Sequence, residues 1–210
     1  MASISYAVTV CNEIDELAQL LNFLQLHIRE EDEIVIQYDE ASVTKDVADY
    51  LNLINVMHSN HKVVGFSLNS DFASFKNNLK SHCSKDYIFQ IDADEIPHEY
   101  LIEILGEVLD SNNVDIVFVP RINTVKGITD EHIQKWRWNV NEMGWVNFPD
   151  YQTRIYKNTD DVMWMGKVHE QITGYNTFSN FPAEEQFCLY HHKQIERQEK
   201  QNNYYSELQK

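Results

Sequence analysis

The stretch Tyr87-Ile88-Phe89-Gln90-Ile91-Asp92-Ala93-Asp94-Glu95 decides how the chain is read. Its apolar first half suits a buried strand, and it ends abruptly in Asp92, Asp94 and Glu95. In an extended turn alternate residues share a side, so Asp92 and Asp94 face one ligand while Ala93 points away. Carboxylate oxygens are the hard ligands that Mg²⁺ and Mn²⁺ prefer, and these ions also accept diphosphate oxygens. Such an ion, acting as a Lewis acid, neutralises charge that builds on a departing diphosphate. A plainer reading stands beside this one: acidic residues ahead of a helix stabilise its dipole.

Working outward, the preceding residues alternate between strand-like and helix-like patterns. Ile4 to Val10 reads as a buried strand, and Asn12 as the cap of a helix with Asp15 three residues on. The apolar stripe of that helix is Leu17, Leu20, Leu21, Leu24 and Ile28. Glu33 to Tyr38 is a second strand, followed by a helix through Val47, Tyr50, Leu51 and Ile54. Lys62 to Leu68 is a third strand, Asp71 to Cys83 a helix, and Tyr87 to Ile91 the fourth strand. Pro97 then opens a helix carrying Leu101, Ile104, Leu105, Val108 and Leu109.

This rhythm predicts right-handed βαβ units, and so an α/β fold: a Rossmann-like, mainly parallel sheet with helices on both faces. Ligands of such sheets bind beyond the carboxyl ends of the strands, near the switch in strand order. Three polar segments are expected to converge there: Cys11-Asn12-Glu13, Asp39 to Ser42, and Asp92 to Glu95. After Ile116 to Pro120 the rhythm breaks. Arg121 to Pro149 reads as a long excursion with one short helix. Thr153 to Lys157, Val162 to Trp164, Val168 to Thr173 and Gln186 to His191 read as short strands of a mixed sheet, and Ile195 to Lys210 as a surface helix. No repeat or Pro/Gly-rich linker interrupts the chain, which implies one domain over 1–210.

With 33 acidic against 17 basic residues the formal charge is −16. Such a surface repels phosphate backbones, so nucleic acid and anionic membrane are excluded as default partners. It equally repels a nucleoside diphosphate, and a bound divalent cation is the economical remedy. Cys11, Cys83 and Cys188 are odd in number and widely spaced, which argues against a disulfide framework or a structural zinc site. Met1 to Val10 has no basic region and reads as no signal peptide. No run approaches the ~20 apolar residues that span a bilayer. A soluble, cytoplasmic protein is expected.

Thr9-Val10-Cys11-Asn12-Glu13, Tyr38-Asp39-Glu40-Ala41-Ser42, Phe72-Ala73-Ser74-Phe75-Lys76-Asn77 and Ile91-Asp92-Ala93-Asp94-Glu95 occur in this order. Together they resemble the N-terminal half of family 2 glycosyltransferases with the GT-A fold. Tyr151-Gln152-Thr153-Arg154-Ile155-Tyr156 and Trp164-Met165-Gly166-Lys167-Val168-His169-Glu170 resemble the acceptor-side segment of a bacterial and viral branch.

The resemblance implies a nucleotide-sugar-binding half over 1–120, an acceptor and catalytic half over 121–192, and a C-terminal helix over 193–210. It implies Mn²⁺ or Mg²⁺ as cofactor, a nucleoside-diphosphate sugar as donor, and a sugar or lipid-linked glycan as acceptor. Asp39 would contact the base, and Cys11, Asn12 and Glu13 would lie near the nucleoside. Asp92 would sit by ribose and metal beside Ala93, with Asp94 the principal metal ligand and Lys76-Asn77 near the donor. Two departures stand out: the usual Asp-Asp-Gly-Ser is here Asp39-Glu40-Ala41-Ser42, and the chain ends before an acceptor-binding extension. Surface glycan or lipopolysaccharide synthesis is the family's common setting.

An inverting transfer needs a group that takes the proton of the acceptor hydroxyl. Glu170 is the candidate, with Glu95 and Asp150 as fallbacks. His169 is a candidate for diphosphate or metal. Of His191-His192, strand alternation lets one face the site, and His191 is the candidate metal ligand. Arg121 and Arg154 would bind phosphate or a carboxylate, or else form salt bridges. Trp136, Trp138, Trp145 and Trp164 would stack on a sugar or pack in the core. Two rivals remain: a haloacid-dehalogenase-like phosphatase, in which Asp92 is the nucleophile, and a non-catalytic nucleotide-sugar-binding module.

Overall fold

Seven consecutive residues of β1 (Ile4–Val10) hold the centre of the molecule, and all but Thr9 are buried. The computed structural model describes residues 1–57 and 60–208 and, in the last helix, the side chains as far as Lys200 together with that of Asn202. β1 pairs in parallel with β2 (Glu33–Asp39) and with β4 (Tyr87–Asp92), and β2 pairs with β3 (His61–Phe66). Helices α1 (Ile14–His27), α2 (Lys45–Met57) and α3 (Phe72–Ser81) make the connections. The order in space is β3-β2-β1-β4. The chain therefore steps outward from β1 to β3 and returns to the opposite side of β1, which creates the expected switch point between β1 and β4.

The remaining elements are β5 (Glu95–Pro97), α4 (Glu99–Asn112), β6 (Ile116–Lys126), α5 (Asp130–Trp136), β7 (Val146–Lys157), β8 (Met163–Met165), β9 (Gln171–Thr173), β10 (Phe178–Asn180), β11 (Leu189–Gln194) and α6 (Ile195–Leu208). β7 runs antiparallel to both β4 and β6. β11 lies parallel to β6 and antiparallel to β5, so the sheet continues β4-β7-β6-β11-β5 with β10 beside β6. β8 and β9 form a separate hairpin. The result is an α/β fold with a mixed, largely parallel central sheet flanked by helices.

Alternation along β1 divides the core. Ile4, Tyr6, Val8 and Val10 join Leu17, Leu20, Leu21 and Leu24 of α1, Val47 and Leu51 of α2, and Leu101 and Leu105 of α4. Ala7 and Ile88 face the other way, toward Ala73 and Leu79 of α3 and toward Trp164 and Ile172 of the β8–β9 hairpin. Each fully buried leucine of α1 contributes about 1.5–3 kcal/mol, which fixes which side of α1 meets the sheet.

Three expectations from the sequence are corrected. Asn12 does not cap α1, which starts at Ile14; the Glu13 carboxylate instead accepts the N–H groups of Cys11 and Asn12 and tightens the turn that leaves β1. Pro97 closes β5, where it lies opposite Leu189, and α4 waits for His98, whose Nδ1 accepts the N–H of Tyr100. Arg121 to Pro149 is not mainly irregular: β6 runs on to Lys126 and β7 begins at Val146. Arg121 and Asn123 broke the apolar pattern because their strand positions carry polar contacts across to β7, Arg121 lying opposite Asp150. The C-terminal helix is present through Leu208, and positions 209–210 lie outside the described residues. No described helix is long and apolar enough to cross a membrane.

Candidate active site

Each carboxylate of the acidic turn has different partners. Asp92, the last residue of β4, accepts the Thr9 hydroxyl at 2.9 Å on Oδ1 and Arg154 Nη2 at 2.6 Å on Oδ2. Glu95 is wholly buried. Its Oε1 accepts from Arg154 Nη2 at 2.6 Å and from Arg121 Nη1 at 2.8 Å, and its Oε2 accepts the Asp92 N–H. Asp94 turns the other way: its Oδ2 lies 3.3 Å from His191 Nε2 and 3.3 Å from an Arg197 Nη2. Ala93 is buried, with its N–H donated to the Thr9 carbonyl.

Charge explains why these groups tolerate enclosure. Burial disfavours the ionised form of Asp92, yet the charges of Arg154 and Lys76 and the Thr9 hydrogen bond outweigh it and hold its pKa well below the usual carboxylate range. For Asp94, burial and the negative charge of Asp92 are overcome by His191 and Arg197, and its pKa is also lowered. Arg154 is held more firmly protonated than usual, because Asp92 and Glu95 together exceed the cost of its burial.

The other two polar segments do reach this edge. Cys11 O accepts the N–H of Thr44, and the Cys11 thiol donates to Ser42 O at 3.5 Å. Burial pushes the Cys11 thiol pKa up, with Glu13 and Asp39 adding to the shift. Asp39 Oδ1 accepts the N–H groups of Leu68 at 3.0 Å and Ala41 at 3.2 Å. Arg197 of α6 ties the edge together, donating to Glu13 Oε1 at 2.7 Å while it neighbours Asp94. Asn12 is exposed in the turn between them.

On the far side of Asp92, α3 meets the β8–β9 hairpin. Asn77 clamps Trp164 by donating to its carbonyl at 2.8 Å and accepting its N–H at 2.9 Å. Lys76 lies 4.1 Å over the Trp164 ring, and its Nζ is 2.6 Å from Glu170 Oε1. The loop that carries Glu170 reverses sharply, with His169 at φ 57° and Gly166 at φ 94°, and its Lys167 carbonyl accepts the N–H of Phe72 at the start of α3.

A family model, glycosyl transferase family 2, matches residues 5–187. The chain belongs to this family. No curated protein matches it. Among solved structures it is similar to S. aureus TarS 1–349, with TM-score 0.63 and 15% identity over 91% of this chain and 60% of that one. The same TarS fragment in complex with UDP-GlcNAc gives TM-score 0.65 and 15% identity over 92% and 59%. At this identity the likeness is one of fold. The family 2 chain thus spans about 60% of the TarS fragment, and 37% of the longer TarS structure.

Membership of this family leaves the phosphatase reading without support. The geometry also sorts the remaining candidates. Of the two late histidines, buried His191 faces Asp94, and its Nδ1 is 2.7 Å from Asn123 Oδ1; His192 is exposed and bonds Thr124. Of the fallback bases, Asp150 accepts from Arg121, Asn123 and Gln152, and Glu95 is sealed from solvent. Arg121 and Arg154 form salt bridges with the acidic turn, and Arg121 also with Asp150 of β7. Trp164 packs in the core edge-on to Tyr156, whereas Trp136 and Trp138 pack on Val125, Val146 and Ile195.

Sequence reading missed Arg197 and Asn123. Arg197 sits in a polar helix whose pattern carries no sign of what it faces. Asn123 lay in a stretch taken for loop, and only the extension of β6 sets it beneath His191.

Among the described residues, no group of three or more His, Cys, Asp or Glu is placed to hold a metal ion. The donor set present is a pair, Asp94 and His191. Their 3.3 Å separation is close to the ~3 Å between neighbouring ligands of an ion bound at about 2.1 Å. Asn123 fixes the imidazole from behind, as outer partners of metal-bound histidines do. Mg²⁺-type ions commonly take one or two carboxylates and complete their shell with substrate phosphates and water; Asp94 fits such an ion, which would have to displace the Arg197 Nη2 now 3.3 Å from the same oxygen.

Proposed function

We propose that this protein is a metal-dependent, inverting glycosyltransferase that moves a sugar from a nucleoside-diphosphate sugar to an acceptor hydroxyl. The observation that carries the reading is the Asp94–His191 pair, 3.3 Å apart at the carboxyl end of β4, beside the switch point and the 11–13 and 39–42 segments. Family membership supports it, as does the shared fold with TarS, which was crystallised with UDP-GlcNAc.

In this proposal residues 1–120 bind the donor and 121–192 serve acceptor and chemistry; the C-terminal helix, which starts at Ile195 and not at 193 because Lys193 and Gln194 still belong to β11, closes one side. Asp39 presents its Oδ2 to the base, while its Oδ1 holds the backbone of Ala41 and Leu68. Cys11, Asn12 and Glu13 flank the nucleoside. Asp92, oriented by Arg154, reaches the ribose. Asp94 and His191 hold Mn²⁺ or Mg²⁺, with His169 near the diphosphate. The ion, when bound, supplies Lewis-acid neutralisation of the leaving diphosphate. Lys76 adds a second positive charge, and Asn77 positions the Trp164 strand.

Glu170 acts as base. It takes the proton of the acceptor hydroxyl while that oxygen attacks the anomeric carbon; the bond to the diphosphate oxygen breaks and its electron pair leaves with the diphosphate. The acceptor is a sugar or a lipid-linked glycan, and surface glycan synthesis is the setting we infer. Three cysteines present as thiols fit a reducing cytoplasm.

Calorimetry against UDP, GDP, CDP and dTDP, with and without Mn²⁺, tests the donor site. Binding of one of the four is expected with Mn²⁺ and is lost in Asp94→Ala with an unchanged circular dichroism spectrum. Metal-independent binding, or none to any of the four, sinks the reading.

A further inference from the structure

β11 runs into α6 with no residue between them. His191 on the strand and Arg197 on the helix therefore approach Asp94 from consecutive elements. Both meet the same oxygen: His191 Nε2 and Arg197 Nη2 each lie 3.3 Å from Asp94 Oδ2. Arg197 also lies beyond the 5–187 stretch that the family model matches.

The guanidinium is anchored elsewhere. Its Nη2 lies 2.7 Å from Glu13 Oε1, and its Nη1 lies 3.3 Å from Glu16 Oε1 in the first turn of α1. The contact with Glu13 has the length of a charge-assisted hydrogen bond, whereas the approach to Asp94 is looser. Pinning α6 to α1 needs only Glu13 and Glu16. It does not account for a guanidinium set against the oxygen of Asp94 on which the metal site is proposed. Three carboxylates surround this one cation, so the cluster keeps an excess of negative charge that a divalent ion can relieve. Ile195 anchors the start of α6 on Val125 and Val146, and the long Arg197 side chain can swing by rotamer change with the helix in place.

We propose that Arg197 and the metal ion compete for Asp94 Oδ2, and that the displaced guanidinium binds the diphosphate of the donor. The inference rests on the donor-site reading above and adds to it a binding residue on α6. Two cations at one carboxylate oxygen repel each other. The looser contact, at Asp94, is the one that yields, and Glu13 keeps the guanidinium at the edge. Phosphate oxygens in the ion's shell are neighbours of Asp94 Oδ2, the oxygen that Arg197 gives up. The guanidinium fork suits phosphate oxygens in geometry as well as in charge.

The test compares the full chain with Arg197→Gln in two measurements. Binding of Mn²⁺ alone is followed by the electron paramagnetic resonance signal of the free ion. Binding of whichever nucleoside diphosphate the parent takes is measured by calorimetry at saturating Mn²⁺. Removing the competing charge should tighten Mn²⁺ by about threefold or more, and removing the donor should weaken the nucleoside diphosphate by about tenfold or more. Lys200 is exposed one turn further along α6, and Lys200→Gln, which removes the same charge, should move neither affinity by more than about twofold. In the parent, modification of Arg197 by phenylglyoxal, read by mass spectrometry, should slow when Mn²⁺ and the nucleotide are added together. A role confined to pinning the helix lowers both affinities or moves neither, and either pattern overturns the proposal. Equal shifts in Lys200→Gln, or unchanged phenylglyoxal reactivity, overturn it too. A parent that binds no nucleoside diphosphate, or binds it without Mn²⁺, overturns the donor-site reading and this proposal with it. A parent that binds both, with Arg197→Gln changing neither, overturns the role of Arg197 alone.

Discussion

Replacing Arg154 with methionine tests the idea that the acidic turn is held by an internal cation as much as by its own backbone. One guanidinium nitrogen serves both Asp92 and Glu95 at 2.6 Å. Breaking a buried pair by removing one partner costs about 3–5 kcal/mol, because a charge is left enclosed without compensation. Two features place this case at the low end. Glu95 keeps Arg121 at 2.8 Å, and Asp92 keeps the Thr9 hydroxyl at 2.9 Å. Asp92 is also open enough, with 37% of its side chain exposed, for water to replace part of what is lost. The expected cost of Arg154→Met is therefore about 3 kcal/mol. For a chain of this size each kcal/mol lowers Tm by about 2–4 °C, so calorimetric melting should fall by roughly 6–12 °C. Adding Glu95→Gln removes one of the stranded charges and should recover part of the loss, a positive coupling in a double-mutant cycle. A single-variant loss below about 1 kcal/mol, or no coupling to Glu95, would refute the view that burial makes this cluster interdependent.

Two further outcomes follow from the same residues. Glu170→Gln keeps the shape of the side chain and a contact for Lys76, so nucleotide affinity should stay within about twofold while nucleoside diphosphate release from the donor drops about 10²–10⁴-fold, the usual worth of a positioned base; full activity removes Glu170 from the role, and an inactive parent that binds nucleotide favours the non-catalytic module. Asp92, Asp94 and Asp150 all have folded-state pKa values below their unfolded ones. Their stabilisation is complete above the unfolded value of about 3.9 and is lost as pH falls below it, so Tm should hold between pH 7 and 5 and drop below pH 4. A Tm that stays level down to pH 3 contradicts that linkage.

The fold was legible where one kind of periodicity ran unbroken. β1 through α3 could be read because each buried face repeats at the spacing of its element, and Leu17, Leu20, Leu21 and Leu24 pack as that spacing requires. Legibility ended at Arg121. There the sheet is still continuous, but its residues carry ion pairs and amides in place of apolar side chains, and a strand built to hold charge looks like loop in a linear pattern. The same cause hid the start of β7, where Asp150 lies opposite Arg121.

The candidate site shows a sharper division. Asp92, Asp94 and Glu95 could be singled out from their place at the end of an apolar run, but three adjacent carboxylates look alike in a sequence. What separates them is which partner each meets, and those partners come from 26 to 103 residues away: Arg121 and Arg154 for Glu95, Arg154 for Asp92, and Arg197 with His191 for Asp94. The net charge of −16 pointed to a positive centre at this edge without locating it. In the folded chain that charge is distributed: Arg121 and Arg154 pair with the two carboxylates that shape the turn, while Asp94 meets the His191 imidazole and the Arg197 guanidinium. In the proposed metal site, the internal arginines would keep the neighbouring carboxylates from competing with Asp94 for the ion.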